Sequence, residues 1–490
     1  MNDRSVRSLS YPCGVTRREF VWQMGGGFVG TALAGLLQGQ GFTAPSARAA
    51  TASPTGPLSP RKPHYEGRAK SVIFLMMNGA PSQVDTFDFK PELAKYAGKT
   101  LPEGKKFINS GNRQMGFLTP AWRPFRPGGE SGLLISDYFP NVRQHADKLC
   151  VINSCHTDSH AHGSALVAMN TGKTLIGRPS LGSWAVYGLG TENQNLPGFV
   201  VMLDKRGGPI SGQPNWSSGF MSATYQGTLF RPTGNPILNL RGPEHIDPSA
   251  QRAQLDLLAR LNDRHLHERQ GGEELAARIN SYELAFRMQS DTPEAVDLGQ
   301  ETETTLAMYG VGTQPTDEFG RNCLIARRLV ERGVRFVQLY SGGGHLEETW
   351  DAHESVEKNH GRHGLEVDQP IAALLTDLAQ RGLLESTLVV WGGEFGRMPF
   401  SEGKDAPGRN HNPYGFSMWF AGAGVKGGMT YGETDEFGFE AVTNKAHLHD
   451  IHATILHLMG LDHELLTYFH QGREESLTDV GGRVIQDIVA

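Results

Sequence analysis

The stretch Ser71-Val-Ile-Phe-Leu-Met-Met77 runs directly into Asn78-Gly-Ala-Pro81. An uninterrupted apolar run of this length predicts a strand that is buried on both faces, as in a parallel sheet. The Asn-Gly pair and the proline predict that the chain then turns into a loop. Ligands of open α/β sheets bind where such strands end. Residues 78–81 therefore mark the edge of the sheet at which a functional site is expected.

The rest of the chain alternates short apolar runs with segments of helical periodicity, which predicts an α/β fold. Further strands are predicted at Leu149–Asn153, Phe199–Met202, Val334–Leu339, Thr387–Trp391 and Met418–Ala421. Helices are predicted at His162–Met169, Pro248–Gln289 with a break at Gly271-Gly272, Phe319–Arg332, Val367–Gln380 and Asp450–Met459. We expect one domain over residues 69–490, with a central, mostly parallel sheet flanked by helices. Residues 205–310 are expected to form a loop-rich cap and helical insertion.

The first 49 residues have the features of a twin-arginine export signal. Arg17-Arg18 precede an uncharged, glycine-rich run over residues 21–47, and Ala47-Arg48-Ala49 forms an A-x-A cleavage pattern. The alternative is a membrane anchor, but Gly and Gln interrupt the run. No later segment approaches the about 20 apolar residues that a spanning helix needs. We expect a periplasmic or exported protein with a flexible lead-in over residues 50–68 and no transmembrane segment in the mature chain.

Composition excludes several classes of protein. The 490 residues carry a formal net charge of −6 and no basic stripe, so nucleic acid is not an expected partner. Three of the four cysteines lie beyond the predicted signal, at Cys150, Cys155 and Cys323. An odd number without a CxxC motif argues against a disulfide framework and against a cysteine zinc site. Pairing of Cys150 with Cys155 after export remains the alternative.

Histidine and carboxylate residues collect after the predicted strands. Of the 19 histidines, three lie at positions 156, 160 and 162 and eleven lie from His345 onward. The polar residues that follow strands are Asn78, Asp85, Asp88, His156, Asp158, Ser159, His160, His162, His345, Asp351, His353, His360, His363, Glu394, Arg397, Asn410, His411 and Asn412. Such oxygen and nitrogen ligands suit zinc, manganese, iron, calcium or magnesium. Walker, HExxH and GxSxG motifs are absent from the sequence.

Four motifs in these regions resemble the DUF1501 family. They are the run from Asn78 to Asp88, Trp350-Asp351-Ala-His353, Gly393-Glu394-Phe395-Gly396-Arg397 and Asp450-Ile-His-Ala-Thr454. The resemblance covers nearly the whole mature chain. The family consists of exported bacterial proteins within the alkaline phosphatase and sulfatase superfamily. The resemblance therefore implies an alkaline phosphatase-like sheet with a metal cluster at the strand ends that hydrolyses phosphate or sulfate esters.

The resemblance also implies ligands for one or two divalent ions, with zinc, manganese, calcium and magnesium as the candidates. Asp351, His353 and His411 match the first metal site of the superfamily. Asn78 and Glu394 match the second site, where Phe395 stands in place of a histidine ligand. This second site is weakened unless Asp85, His160 or His162 supplies the missing ligand.

The nucleophile departs most from the superfamily pattern. The nucleophile position, nine residues before Thr171, holds His162, and neither formylglycine motif (C-x-P-x-R or S-x-P-x-R) occurs. The attacking group is then Ser159, Ser164, His162 or a metal-bound hydroxide. We favour His162 as a metal ligand over His162 as a nucleophile; a histidine that only caps the following helix is the structural alternative. Arg397 and the metals are expected to stabilise the oxyanion.

These features favour an exported metal-dependent hydrolase of small-molecule or polysaccharide esters of sulfate or phosphate. The alternative is a protein with a degenerate site that binds metal, carbohydrate or another protein without hydrolysis; Asn78, Phe395 and the missing nucleophile support it. A third hypothesis is another metal-dependent reaction, such as a mutase or phosphonate cleavage. Asn215, Trp216 and Gln226 are either a carbohydrate platform or packed loop residues.

Overall fold

The computed structural model describes residues 56–102, 116–231, 237, 240, 246–268, 273–403 and 406–490. The predicted export signal, residues 1–49, lies outside these ranges, and so does the predicted helix break at Gly271-Gly272. The described strands are, in chain order, β1 (Ser71–Met77), β2 (Phe125–Gly128), β3 (Leu133–Ser136), β4 (Leu149–His156), β5 (Phe199–Met202), β6 (Thr228–Phe230), β7 (Phe336–Ser341), β8 (Thr387–Gly392), β9 (Gly396–Gly403), β10 (Ala406–Asn412), β11 (Phe416–Ala421), β12 (Met429–Tyr431), β13 (Glu433–Thr434), β14 (Ala441–Thr443), β15 (Ala446–His447), β16 (Tyr468–His470) and β17 (Arg473–Glu475).

Ten α-helices are described. They are α1 (Gln83–Thr86), α2 (Pro91–Lys95), α3 (His162–Thr171), α4 (Leu181–Leu189), α5 (Pro248–Glu268), α6 (Glu273–Val296), α7 (Glu303–Met308), α8 (Asp317–Glu331), α9 (Val356–Gln380) and α10 (Leu448–Leu458). Helix α9 begins 11 residues before the predicted Val367, at a serine N-cap whose hydroxyl accepts the backbone N–H of Lys358. Two glycines and two histidines in its first turns hide its helical pattern, since these residues have poor helix propensity.

Nine strands form one central sheet in the order β12-β4-β11-β8-β1-β7-β5-β6, with β15 also paired to β4. Strand β1 lies near the middle, parallel to β7 on one side and to β8 on the other. Its alternate side chains enter two different hydrophobic cores: Ile73, Leu75 and Met77 on one face, Val72, Phe74 and Met76 on the other. Burial on both faces explains why the run is continuously apolar. The structure thus confirms the predicted α/β class with a mostly parallel sheet.

Strand β11 is the exception in direction, because it runs antiparallel to both β4 and β8. A parallel strand needs a crossover connection, usually a helix. Here the chain leaves β8 and returns through the β9–β10 hairpin, so β11 runs back along the sheet. The hairpin was not predicted, and it carries two residues of the site described below. Within the segment expected to be an insertion, β6 pairs with β5 and extends the sheet.

Cys150, Cys155 and Cys323 are buried free thiols. The alternative of a Cys150–Cys155 disulfide therefore has no counterpart in the structure. None of the described helices combines the length and apolar character needed to cross a bilayer.

Candidate metal centre

Four chain segments meet at the carboxyl ends of β1, β7 and β8. His162 is the first residue of α3, and Asp351 lies in the loop after β7. Arg397 and His411 face each other as partners in the β9–β10 hairpin. Gly79, just after β1, has φ of 105°. A side chain there would come within 2.7 Å of the Asp351 backbone nitrogen, so glycine permits the two loops to approach closely.

Three imidazole rings surround one oxygen of Asp351. Its Oδ1 lies 3.2 Å from Nε2 of His162, 2.9 Å from Nε2 of His353 and 3.3 Å from Nε2 of His411. The Nε2 atoms of His353 and His411 are themselves 2.9 Å apart. Ligand atoms of His162, Asp351 and His411 all lie within 4.8 Å of one another, a group that could hold a metal ion. The structure thus brings Asp351, His353, His411 and His162 together, and their role as metal ligands stays a prediction.

The opposite ring nitrogens of two histidines are held by acceptors. Nδ1 of His411 lies 2.6 Å from the backbone oxygen of His160, which can only accept, so this nitrogen carries the proton. Nδ1 of His162 lies 2.6 Å from Oε1 of Glu394. In the neutral rings, Nε2 then presents its lone pair to Asp351. Nε2 of His162 is buried, and Oδ1 of Asp351 lies 3.2 Å from it.

The electrostatics of the cluster favour a positive charge between His162 and Asp351. Burial opposes ionisation of His162, but hydrogen bonds and charge interactions with Asp351 and Glu394 outweigh it and raise the pKa of this ring. Burial lowers the pKa of His411 to about 3, and Arg397 and His162 add to this effect. Burial alone would raise the pKa of Asp351, yet Arg397 and the three histidines hold it far below its usual value. A proton or a metal cation satisfies this attraction equally well in electrostatic terms.

Glu394 is fully buried and serves two donors. Besides the His162 ring, its oxygens accept the backbone N–H of Gly79 at 3.0 and 3.2 Å. The sequence predicted Glu394 as a metal ligand. The structure instead places it behind His162, in the position of the carboxylate that orients a metal-binding histidine.

Arg397 lies behind Asp351 and is also fully buried. One terminal nitrogen lies 2.7 Å from Asp351 Oδ1. The guanidinium also donates to the backbone oxygens of Gly79, Ala80 and Arg409. We predicted that Arg397 stabilises the substrate oxyanion, but a buried guanidinium with these partners positions Asp351 and does not face an incoming ligand.

Two further predicted ligands are engaged elsewhere. The carboxylate of Asp85 forms a fully buried ion pair with Arg409 at 2.7 Å. The side-chain amide of Asn78 donates to the backbone oxygen of Gly342 at 3.1 Å. Asp85 is therefore already neutralised, and the structure does not bring it into contact with the histidines.

Phe395 occupies the inner side of the cluster. It is 1% exposed, and its ring centroid lies 4.8 Å from that of His162 and 4.7 Å from that of His411. The phenyl ring thus packs against both imidazoles.

The serine hydroxyls near the centre bond to each other. Oγ of Ser159 lies 2.6 Å from Oγ of Ser164 and also accepts the backbone N–H of Ala161 at 3.2 Å. Ala161 is the N-cap of α3, so this pair shapes the start of the helix that presents His162. The side chain of His160 is exposed, and only its backbone oxygen contacts the cluster.

Gln83 is a residue of the centre that sequence reasoning missed. Its side-chain amide donates to the backbone oxygen of Arg397 and its carbonyl accepts the Arg397 N–H, both at 2.8 Å. A buried glutamine two residues after the Pro81 turn was a weak signal, since nothing in the sequence pairs positions 83 and 397. Of the suggested carbohydrate platform, Asn215 is 0% and Trp216 4% exposed, so these two are packed loop residues.

A model of one family matches residues 69–489, and its description is "Protein of unknown function (DUF1501)". The chain belongs to the DUF1501 family. No curated protein matches the chain.

Several solved structures resemble this DUF1501 protein at low identity. The lipoteichoic acid synthase LtaP from Listeria monocytogenes is 9% identical with a TM-score of 0.37, over 83% of this chain and 76% of that one. The PsFucS1 sulfatase from Pseudoalteromonas sp. is 13% identical with a TM-score of 0.35, over 92% and 74%. Alkaline phosphatase from the Antarctic bacterium TAB5 is 11% identical with a TM-score of 0.32, over 81% and 99%. Because these TM-scores are low, the function proposed below depends on the site residues.

Proposed function

We propose that this protein is an exported, divalent-metal-dependent hydrolase of phosphate or sulfate esters. The observation that carries the proposal is the convergence of Nε2 of His162, His353 and His411 on one oxygen of Asp351. Because Nδ1 of His411 carries the proton, the lone pair of its Nε2 faces the Asp351 carboxylate at 3.3 Å, and a cation bound between them would remove this repulsion.

The distances fit a metal centre. Metal–ligand bonds of about 2.0–2.1 Å place neighbouring ligand atoms about 2.9 Å apart at a right angle and about 3.3 Å apart in a tetrahedron. The separations among Asp351, His353 and His411 span 2.9–3.3 Å. Imidazole nitrogen with carboxylate oxygen is a donor set for zinc, manganese or iron rather than for calcium or magnesium.

The surrounding residues fix each ligand in its binding form. Glu394 and the His160 carbonyl hold the Nδ1 atoms, so that Nε2 of His162 and of His411 faces the centre. Arg397 holds Asp351 from behind. A divalent ion held by these residues would supply a Lewis acid for an ester oxygen and would lower the pKa of water.

We assign the attack on phosphorus or sulfur to water rather than to a side chain. Ser159 and Ser164 bond to each other at the start of α3. His162 has Nδ1 committed to Glu394, and its Nε2 faces the cluster. Ligation by His162 therefore fits the contacts better than covalent attack.

Export by the twin-arginine route is part of the proposal, supported by Arg17-Arg18 ahead of a glycine-rich apolar run. This route carries folded proteins, which suits a protein that acquires its metal before export.

The test uses purified protein stripped with chelator and reloaded with zinc, manganese, calcium or magnesium. Chromogenic phosphate and sulfate monoesters are then assayed. We expect turnover to return with at least one ion and to be lost in His411→Ala. His449→Ala is the matched control, because its Nε2 bonds to the Gly172 backbone oxygen away from the centre. Metal binding without turnover of either ester class would reject the hydrolase and support the alternative of a metal-binding protein.

A further inference from the structure

We infer that the centre binds a single divalent ion, and that the Arg397 guanidinium is a built-in second positive charge beside it. This inference rests on the proposed metal-dependent function and decides the number of ions, which the sequence left at one or two.

The charges of the centre fit one ion. Asp351 and Glu394 each supply a negative charge, Arg397 supplies a positive one, and the histidine ligands are neutral when they bind metal. One negative charge remains, so a single divalent ion leaves one positive charge to attract an anionic ester. A second divalent ion would leave three positive charges among side chains that are almost completely buried, where uncompensated charge is costly.

The carboxylates of Asp85 and Asp88 do not compensate the charge that a second divalent ion would add. Asp85 is paired with Arg409 at 2.7 Å, and neither side chain is exposed. Asp88 is paired with Lys90 at 3.0 Å. Both carboxylates are therefore neutralised by their own cations.

Other side chains already occupy the space around Asp351. The guanidinium nitrogen of Arg397 lies 2.7 Å from Oδ1, the same oxygen that the three imidazoles approach. The Phe395 ring packs against His162 and His411 and offers no lone pair. The oxygens of Glu394 are bonded to Gly79 and His162. In the described part of the chain, no second set of ligand atoms faces the centre.

Arg397 cannot easily leave this place. Its side chain donates to three backbone oxygens, and its own backbone is bonded in both directions to the Gln83 side chain. The guanidinium is therefore a permanent part of the site, unlike a metal ion, which exchanges with solution.

The first test is the stoichiometry of the whole protein. Metal-free protein is titrated with zinc and separately with manganese, followed by calorimetry and native mass spectrometry. We expect one tightly bound ion per chain. Two tight ions per chain would overturn the inference while leaving the hydrolase proposal intact. No tight ion would overturn both, and one ion without ester hydrolysis would overturn only the proposed function.

The second test changes the charge of Arg397. Arg397→Met removes the positive charge at similar length, and Arg397→Lys keeps it. We expect Arg397→Met to bind the first ion on the order of tenfold tighter or to accept a second, because the repelling charge is gone, while Arg397→Lys stays at one ion. A folded Arg397→Met that binds one ion no more tightly than Arg397→Lys would contradict the charge role. If Arg397→Met does not fold, the stoichiometry of the unchanged protein decides.

Discussion

Replacing Glu394 by glutamine tests whether this residue orients the metal ligand His162 or binds the metal itself. The carboxylate of Glu394 is fully buried and accepts a hydrogen bond from Nδ1 of His162 at 2.6 Å. Glutamine keeps an acceptor oxygen on a side chain of the same length but lacks the negative charge of glutamate. His162 then remains in place, held by a weaker bond, and its Nε2 becomes a poorer ligand.

The size of the effect follows from this one bond. A hydrogen bond to a charged group contributes about 1.5–3 kcal/mol, against about 0.5–1.5 kcal/mol for a neutral one. Loss of such an orienting partner typically weakens metal binding by about 10–100-fold, or about 1.4–2.8 kcal/mol. If Glu394 bound the metal directly, the loss would be far larger. Glu394→Ala would also leave the Gly79 N–H and the His162 ring without an acceptor, at a cost of about 2–6 kcal/mol of folding stability.

The assay is competition for zinc against a chromogenic chelator, with thermal unfolding measured in parallel. Glu366→Gln is the matched control, because Glu366 also accepts from a buried histidine, at 3.2 Å from Nδ1 of His363, but does not contact the centre. We expect Glu366→Gln to leave zinc affinity unchanged. Zinc affinity of Glu394→Gln within about twofold of the unchanged protein would refute the orienting role.

Three further outcomes follow from particular contacts. Under the proposed attack by water, Ser159→Ala should keep turnover within about twofold; complete loss with metal still bound would make Ser159 the nucleophile. Lysine in place of both Arg17 and Arg18 should empty the periplasmic fraction, and undiminished export in cell fractionation would argue against the twin-arginine route. Burial and neighbouring His449 lower the pKa of His452 from 6.5 to about 3, so below pH 6.5 the unfolded chain binds the extra proton and stability falls. Urea unfolding at neutral and mildly acidic pH should show this loss, and His452→Gln should reduce it.

Short sequence patterns were enough to predict those parts of the fold that depend mainly on residues close together in the chain. The apolar run over residues 71–77 is observed as β1 with the predicted bounds, and residues 199–202 are observed as β5. Helix α3 begins at the predicted His162 and ends at Thr171, two residues after the predicted Met169, where Gly172 adopts φ of 77° at the C-cap. Placement of polar residues after strands also identified the histidines and Asp351, because parallel strands end at a common edge.

The roles of the other charged residues depended on contacts between distant parts of the chain. Asp85 meets Arg409 across 324 positions, and Glu394 meets His162 across 232. No local pattern specifies which carboxylate faces an arginine, which faces a ring nitrogen and which faces a metal. The β9–β10 hairpin was missed for a related reason: its strands contain Gly, Pro, Arg and Asn rather than alternating apolar residues.

The exposure of the centre indicates how an anionic ester reaches it. The side chains of Glu394 and Arg397 are fully buried and that of Asp351 is 7% exposed, whereas those of His162, His353 and His411 are 16–18% exposed. The carboxylates therefore lie on the inner side and the imidazoles form the outer rim. Under the proposed function, an anion approaching from solvent would meet the imidazoles and a cation held by them before it meets either carboxylate, whose charge Arg397 partly offsets. The proposal therefore predicts that substrate enters from the histidine rim, and that substitutions that enlarge or charge the rim change KM before they change the affinity for metal.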